Sequence, residues 1–237
     1  MRAHSDKPMV ELRRVGKCFT LHTQGSVELT AFAGVDLSVC AGECVAVDGP
    51  SGSGKSTLLR LIYGNYHGQS GSIRVRHDGG LVELIGADPR IVLTLRQRTL
   101  GYVSQFLRAL PRVAAIDVVA EPMVAAGIDN DLARTQARHL LARLNLPARL
   151  WSLPPTTFSG GEQQRVNLAR GFAVGYPILL LDEPTASLDA QNRSVVVELI
   201  GEARARGAAV LGAFHDRDVR EAVADRVFTL APIEAAA

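Results

Sequence analysis

Gly49-Pro50-Ser51-Gly52-Ser53-Gly54-Lys55-Ser56 fits the pattern G-x-x-x-x-G-K-[ST], and its surroundings decide the fold. Ahead of it, Cys44-Val45-Ala46-Val47 is a short apolar run that reads as a strand. Behind it, residues 56–63 read as a helix with Leu58, Leu59 and Ile62 on the buried side. Strand, glycine loop and helix in succession is the context in which this pattern cradles a phosphate. Gly52 and Gly54 let the backbone approach the anion with no side chain in the way. The amides around Ser53 to Ser56 then face it from a helix N-terminus, where the dipole favours negative charge. Lys55 is the candidate bridge between β- and γ-phosphates, and the Ser56 hydroxyl a candidate Mg²⁺ ligand. Gly49, Pro50, Ser51 and Thr57 complete the candidate nucleotide-binding segment. Only Lys7, Lys17 and Lys55 among the 26 basic residues are lysines, so a lysine at this loop position is hard to ascribe to accident.

A second informative stretch is Phe158-Ser159-Gly160-Gly161-Glu162-Gln163-Gln164-Arg165, followed by Ile178-Leu179-Leu180-Leu181-Asp182-Glu183-Pro184. Asp182 ends an apolar strand expected beside the phosphate-loop strand, where a carboxylate can hold Mg²⁺ through water. Magnesium keeps several waters, so one Ser and one Asp are a sufficient protein contribution. Glu183 is placed to accept the proton of an attacking water. Ser159 and Glu162 also form the S-x-x-E capping box, in which each side chain bonds the other's backbone amide. That pattern leaves Gly160-Gly161 unexplained, because glycines at a helix start cost helicity. They do expose amides to an anion.

The chain has 237 residues and is 47% apolar, enough for one large α/β domain and too short for two. No apolar run approaches the roughly 18 residues a membrane span needs. The first eight residues lack the apolar core of a signal peptide, so a cytoplasmic protein with no direct membrane insertion is expected. A net charge of +2 points to neither nucleic acid nor a membrane surface. Cys18, Cys40 and Cys44 form no C-x-x-C pair and are expected to be ordinary core thiols. His4, His22, His67, His77 and His139 show no ligand spacing.

Residues 10–15 and 27–37 read as strands, with Gly34 marking a turn. Residues 73–75 and 81–84 read as a hairpin around Asp78-Gly79-Gly80, completing an N-terminal antiparallel β portion. From about 111 to 155 the chain reads as helical. One helix spans 114–126 despite Pro122, and another 131–145 with Asp129 or Asn130 as cap and Leu140, Leu141 and Leu144 on one face. Strand 178–181, helix 190–206 and strand 208–213 follow. Alternating strands and helices imply a mainly parallel sheet covered on both faces. The expected fold is a single α/β domain, a P-loop NTPase core (about 1–105 and 156–237) with an inserted helical subdomain (about 106–155).

The order of these motifs resembles the nucleotide-binding domain of the ABC ATPases, over about residues 9 to 230. The resemblance implies ATP and Mg²⁺ as cofactors and a second ABC subunit, identical or related, as partner. Ser159, Gly160, Gly161 and Glu162 then match the signature that closes on the γ-phosphate held by the other subunit. Gln105, in Gly101-Tyr102-Val103-Ser104-Gln105, matches the Q-loop glutamine that reaches Mg²⁺ and the attacking water. His215 matches the switch histidine, and Ser187-Leu188-Asp189 the loop that crosses the dimer interface. Phe158 stands where leucine is usual and Glu162 where glutamine is usual. Phe19 has two readings, a platform for adenine or a core residue. Arg96, Arg98, Arg108 and Arg112 around the Q-loop also have two, a solvated face or a docking patch.

A narrower likeness is to PhnL, the family of L subunits of the bacterial carbon–phosphorus lyase system. It rests on Tyr63-Gly64-Asn65-Tyr66, Val103-Ser104-Gln105-Phe106-Leu107-Arg108 and Leu150-Trp151-Ser152-Leu153, with 158–170 and 176–192. It implies phosphonate catabolism, soluble lyase core subunits as partners, and an ATPase that does not itself cleave the C–P bond. The alternatives are the ATPase subunit of a membrane ABC transporter, whose permease would dock around Gln105 to Arg112, and a non-hydrolysing ATP-dependent assembly module.

Overall fold

The computed structural model describes residues 5–21, 27–107 and 111–231. Arg108, His4 and His22 therefore lie outside the described residues. Strands β1 (Ser5–Leu21) and β2 (Val27–Ala41) pair antiparallel along their length. β2 runs unbroken through Gly34, where a turn was expected. The register instead shifts between the Val15–Val35 and Lys17–Phe32 pairs, so Gly34 at φ 64° sits in a bulge. β4 (Ser70–His77) adds to β1, and β5 (Gly80–Glu83) to β4 through the expected hairpin. Its turn residues Asp78 and Gly79 both have positive φ, the geometry that matches strand twist in a two-residue loop.

The second sheet is wholly parallel, in the order β6 (Leu100–Val103), β7 (Ile178–Asp182), β8 (Ala209–Ala213), β3 (Cys44–Asp48), β9 (Arg226–Thr229). Its inner strands are apolar, apart from the aspartates that end β7 and β3, because both faces are buried. Alternate residues serve two cores: Ile178 and Leu180 join Val45, Val47, Leu58 and Leu59 between this sheet, α1 (Lys55–Ile62) and the antiparallel sheet. Leu179 and Leu181 join Cys44, Ala46, Val166 and Val196 on the other face, under α5 (Gly160–Phe172) and α6 (Ala190–Ala205). Cys44 is thus a core thiol, pushed up to about 12 by burial. Cys18 and Cys40 are only half-buried, in the antiparallel sheet rather than the core.

Between β6 and α5 lie α3 (Ala115–Ala125) and α4 (Asn130–Arg143). α4 is capped by Asp129, whose carboxylate accepts from the amides of Asp131 and Leu132. α3 continues through Pro122, which lies on its buried face. Leu141 and Leu144 are fully buried, whereas Leu140 is partly exposed. Four helices and strands were not anticipated: α2 (Pro89–Arg98), β6, α7 (Arg217–Val223) and β9. α2 begins with Asp88 as cap and Pro89 at its first position, a start signal present in the sequence. Among the described residues no helix is long and apolar enough to cross a membrane.

Candidate functional site

β3 delivers the chain into the glycine loop, and α1 starts with Gly54 as its N-cap at φ 94°. A Cβ on Gly54 would sit 3.0 Å from the Phe32 ring and 3.1 Å from the Ala31 carbonyl, so both the backbone angle and the space call for glycine. The first turn of α1 has no side-chain cap and no acidic residue. Its orphan amides are the anion site of a helix start. Ser53 Oγ is buried without a hydrogen-bond partner among the described residues, an unmet polar group beside those amides. Lys55 Nζ donates to the carbonyls of Gly49 at 2.6 Å and Pro50 at 2.9 Å, folded along the loop.

Ser56 Oγ donates to Asp182 Oδ1 at 2.7 Å, joining α1 to the end of β7. β7 was expected beside the phosphate-loop strand and does not lie there: β8 is inserted between β7 and β3, and the Ser56 side chain reaches Asp182 from α1. Asp182 is fully buried. Its other oxygen accepts from the Tyr102 hydroxyl at 3.0 Å, and Arg60 stands 4.0 Å away. A buried carboxylate beside a hydroxyl is a hard-oxygen donor pair that suits Mg²⁺. Among the described residues no cluster of three or more His, Cys, Asp or Glu is arranged for a metal.

Glu183 follows at φ 50°, a left-handed conformation uncommon for a residue with a side chain. Its amide donates to the Ala213 carbonyl of β8, and its Oε2 accepts from Gln105 Nε2 at 3.0 Å. Held non-glycine residues of this kind gather at functional sites. Gln105, Glu183, Asp182 and Ser56 are thereby linked around the phosphate loop. His215 lies just past β8, at the end of the sheet where Ala213 stands opposite Asp182, and is exposed. The next residue, Asp216, caps α7 and is ion-paired with Arg193, which anchors the chain beyond the histidine.

Ser159 and Glu162 form the expected capping box at the start of α5. The two glycines beside them differ. A Cβ on Gly160 would meet nothing within 4 Å, but one on Gly161 would lie 2.8 Å from the Ser187 carbonyl. Gly161 therefore has a packing reason of its own beyond amide exposure. Ser187 is itself at φ 62°. Gly161→Ala should push the Ser187 loop and α5 apart. The expected outcome is unchanged ATP binding to the single subunit with about a 10-fold or greater loss of hydrolysis, on the scale of a small misplacement at a reacting group. Equal losses in both assays would refute it.

Sequence reasoning missed two polar residues on the buried face of α5. Gln164 donates to the Pro184 carbonyl at 2.9 Å, and Asn167 to the Ser104 carbonyl at 2.6 Å. They tie the loops after β7 and β6 to one helix. A polar pair spaced three apart amid Val166, Leu168 and Ala169 was the signal available. Phe19 belongs to neither buried core. Its ring meets Tyr66 edge-on at 5.3 Å and carries the Lys17 ammonium at 4.8 Å. Arg96 is not part of a solvated arginine face. It donates to the Tyr63 carbonyl at 3.0 Å and to Asn65 Oδ1 at 2.9 Å, and covers the Tyr63 ring. Arg98 and Arg112 are exposed.

The profile of the ABC transporter family matches residues 32–186, and the chain belongs to that family, as its ATP-binding domain. The family uses ATP with Mg²⁺. The chain is 40% identical over 210 residues to the lipoprotein-releasing system ATP-binding protein LolD of Novosphingobium aromaticivorans, covering 88% of this chain and 90% of that one. It is 38% identical over 213 residues to the pyoverdine export ATP-binding/permease protein PvdT of Pseudomonas aeruginosa, covering 90% of this chain and 31% of that protein. The chain thus spans about a third of such a fused protein. Among solved structures, a dimeric post-hydrolysis state of the ATP-binding cassette MJ0796 bound to ADP and Pi superposes with a TM-score of 0.84. It is 29% identical and covers 93% of this chain and 94% of that one.

Proposed function

We propose that this chain hydrolyses ATP as one half of a nucleotide-gated dimer. The observation that carries the reading is the hydrogen-bonded set of Ser56, Asp182, Gln105 and Glu183 beside Lys55 and the glycine loop. Residues Gly49 to Thr57 bind the phosphates, with Lys55 swinging from its loop carbonyls to the β- and γ-oxygens. Ser56, Asp182 and Gln105 would hold Mg²⁺, whose positive charge would offset that of the phosphates. Glu183 takes the proton of the attacking water and His215 helps orient it. Ser159, Gly160, Gly161 and Glu162 of the second subunit close on the γ-phosphate. Phe19 serves as the adenine platform. The segment 106–155 acts as a helical subdomain of the single domain and relays closure through Gln105.

The coupled partner is a membrane permease, a reading supported by relatives named for export and lipoprotein release. A second reading, a soluble carbon–phosphorus lyase, rests on the narrower sequence likeness alone, and the relatives favour the permease over it. Tyr63, Asn65, Tyr66, Ser104 and Leu107, from two of the segments with the narrower likeness, line one cleft beside the Gln105 loop. Tagged Glu183→Gln protein, incubated with ATP and Mg²⁺ in cells of its source, tests both. Nucleotide-dependent recovery of a permease supports the first reading, and recovery of lyase subunits the second. Absence of phosphate release from the wild-type protein would leave a non-hydrolysing assembly module.

A further inference from the structure

We propose that Tyr102 is a positioning residue for Asp182, tying the wall of the cleft beside the Gln105 loop to the carboxylate of the nucleotide site. The inference rests on the proposed role of Asp182 in holding Mg²⁺. A fully buried carboxylate needs a partner at each oxygen, because an unmet charge in the interior is expensive. Ser56 serves Oδ1 at 2.7 Å, and the Tyr102 hydroxyl serves Oδ2 at 3.0 Å. Among the described residues no closer cation takes that place: Arg60 is 4.0 Å from Oδ2, beyond hydrogen-bond reach. Its Nε donates instead toward the Tyr102 oxygen, at 3.4 Å. The phenol thus stands between a guanidinium and the carboxylate, accepting from one and donating to the other.

The ring is fixed as firmly as the hydroxyl. Tyr102 comes from β6, paired with Leu180 of β7, so two parallel strands set its distance from Asp182. Its ring stacks on Tyr63 at 5.0 Å and 27°, and Arg96 covers Tyr63 at 4.7 Å. Tyr63 and Tyr102 both line the cleft. Anything that seats there and shifts the stacked pair moves a hydroxyl bonded to Asp182. Partners behind a metal ligand orient it and typically contribute about 10- to 100-fold in metal affinity.

Tyr102→Phe keeps the stacked ring and removes only the hydroxyl. The test is a titration of the purified full chain with a fluorescent ATP analogue, in EDTA and at rising Mg²⁺, with Asp182→Asn alongside. Thermal unfolding without nucleotide checks that each variant is folded. For Tyr102→Phe the expected result is metal-free binding within about twofold of wild type, with the Mg²⁺ concentration for half of the metal-dependent gain raised about 10-fold. A wild-type Mg²⁺ dependence in Tyr102→Phe, with a shifted one in Asp182→Asn, overturns the inference and leaves the Asp182 role standing. No shift in either variant removes the Asp182 role and the inference with it. An equal loss with and without Mg²⁺ in Tyr102→Phe overturns it as a general disturbance of the site.

Discussion

Replacing Glu183 by glutamine should stop hydrolysis while leaving ATP bound, and should convert the protein at saturating ATP and Mg²⁺ into a stable dimer. The change deletes a proton acceptor and little else. Glutamine keeps the length of the side chain and an oxygen to accept from Gln105 Nε2, which lies 3.0 Å from Glu183 Oε2. Neither residue is more at ease than the other at φ 50°, so the fold should tolerate the exchange. Loss of a general base lowers turnover by about 10² to 10⁴-fold. Phosphate release measures that loss, and light scattering across a sizing column measures the dimer. A monomer at saturating ATP, or turnover within tenfold of wild type, would sink the assignment.

Lys55→Ala should act one step earlier, at binding. The ammonium now bonds the Gly49 and Pro50 carbonyls, contacts it can exchange for phosphate oxygens without unfolding the loop. Hydrogen bonds involving a charged group are worth about 1.5–3 kcal/mol each, so losing two to phosphate should weaken ATP by about 100-fold or more. Equilibrium titration reads the affinity, and thermal unfolding without nucleotide should show little change. Normal affinity in the variant would show that this lysine is not the phosphate contact.

Much of the site was legible because its signals are local. The loop from Gly49 to Ser56, the run ending at Asp182 and the Ser159–Glu162 box are each read from neighbouring residues, and the capped helix after Asp129 likewise. The unread parts depend on contacts between distant segments. Tyr102 meets Asp182 across 80 positions, and Asn167 meets Ser104 across 63. The left-handed backbone at Glu183 has no residue-type signature, since neither Gly nor Asn marks it. α2 escaped notice because only Leu95 is buried, leaving almost no periodic apolar stripe. Gly34 misled for the opposite reason: a glycine that looks like a turn is absorbed as a bulge between two long strands.

The contact between Gly161 and Ser187 has a consequence for the pair of subunits. Ser187 lies a short way along the chain from Glu183, the proposed general base of its own subunit's site. Under the proposed mechanism Gly161 belongs to the half that serves the neighbour's ATP. With no room for even a methyl group between them, a shift of the Ser187 loop after hydrolysis would be expected to disturb the surface that the proposed mechanism lends across the interface. In the proposed dimer the two ATP sites would then be wired in series through a single close packing of backbone on backbone. A mixed dimer with one Gly161→Ala subunit is where that wiring is exposed, since the altered subunit should impair the site it completes in its neighbour.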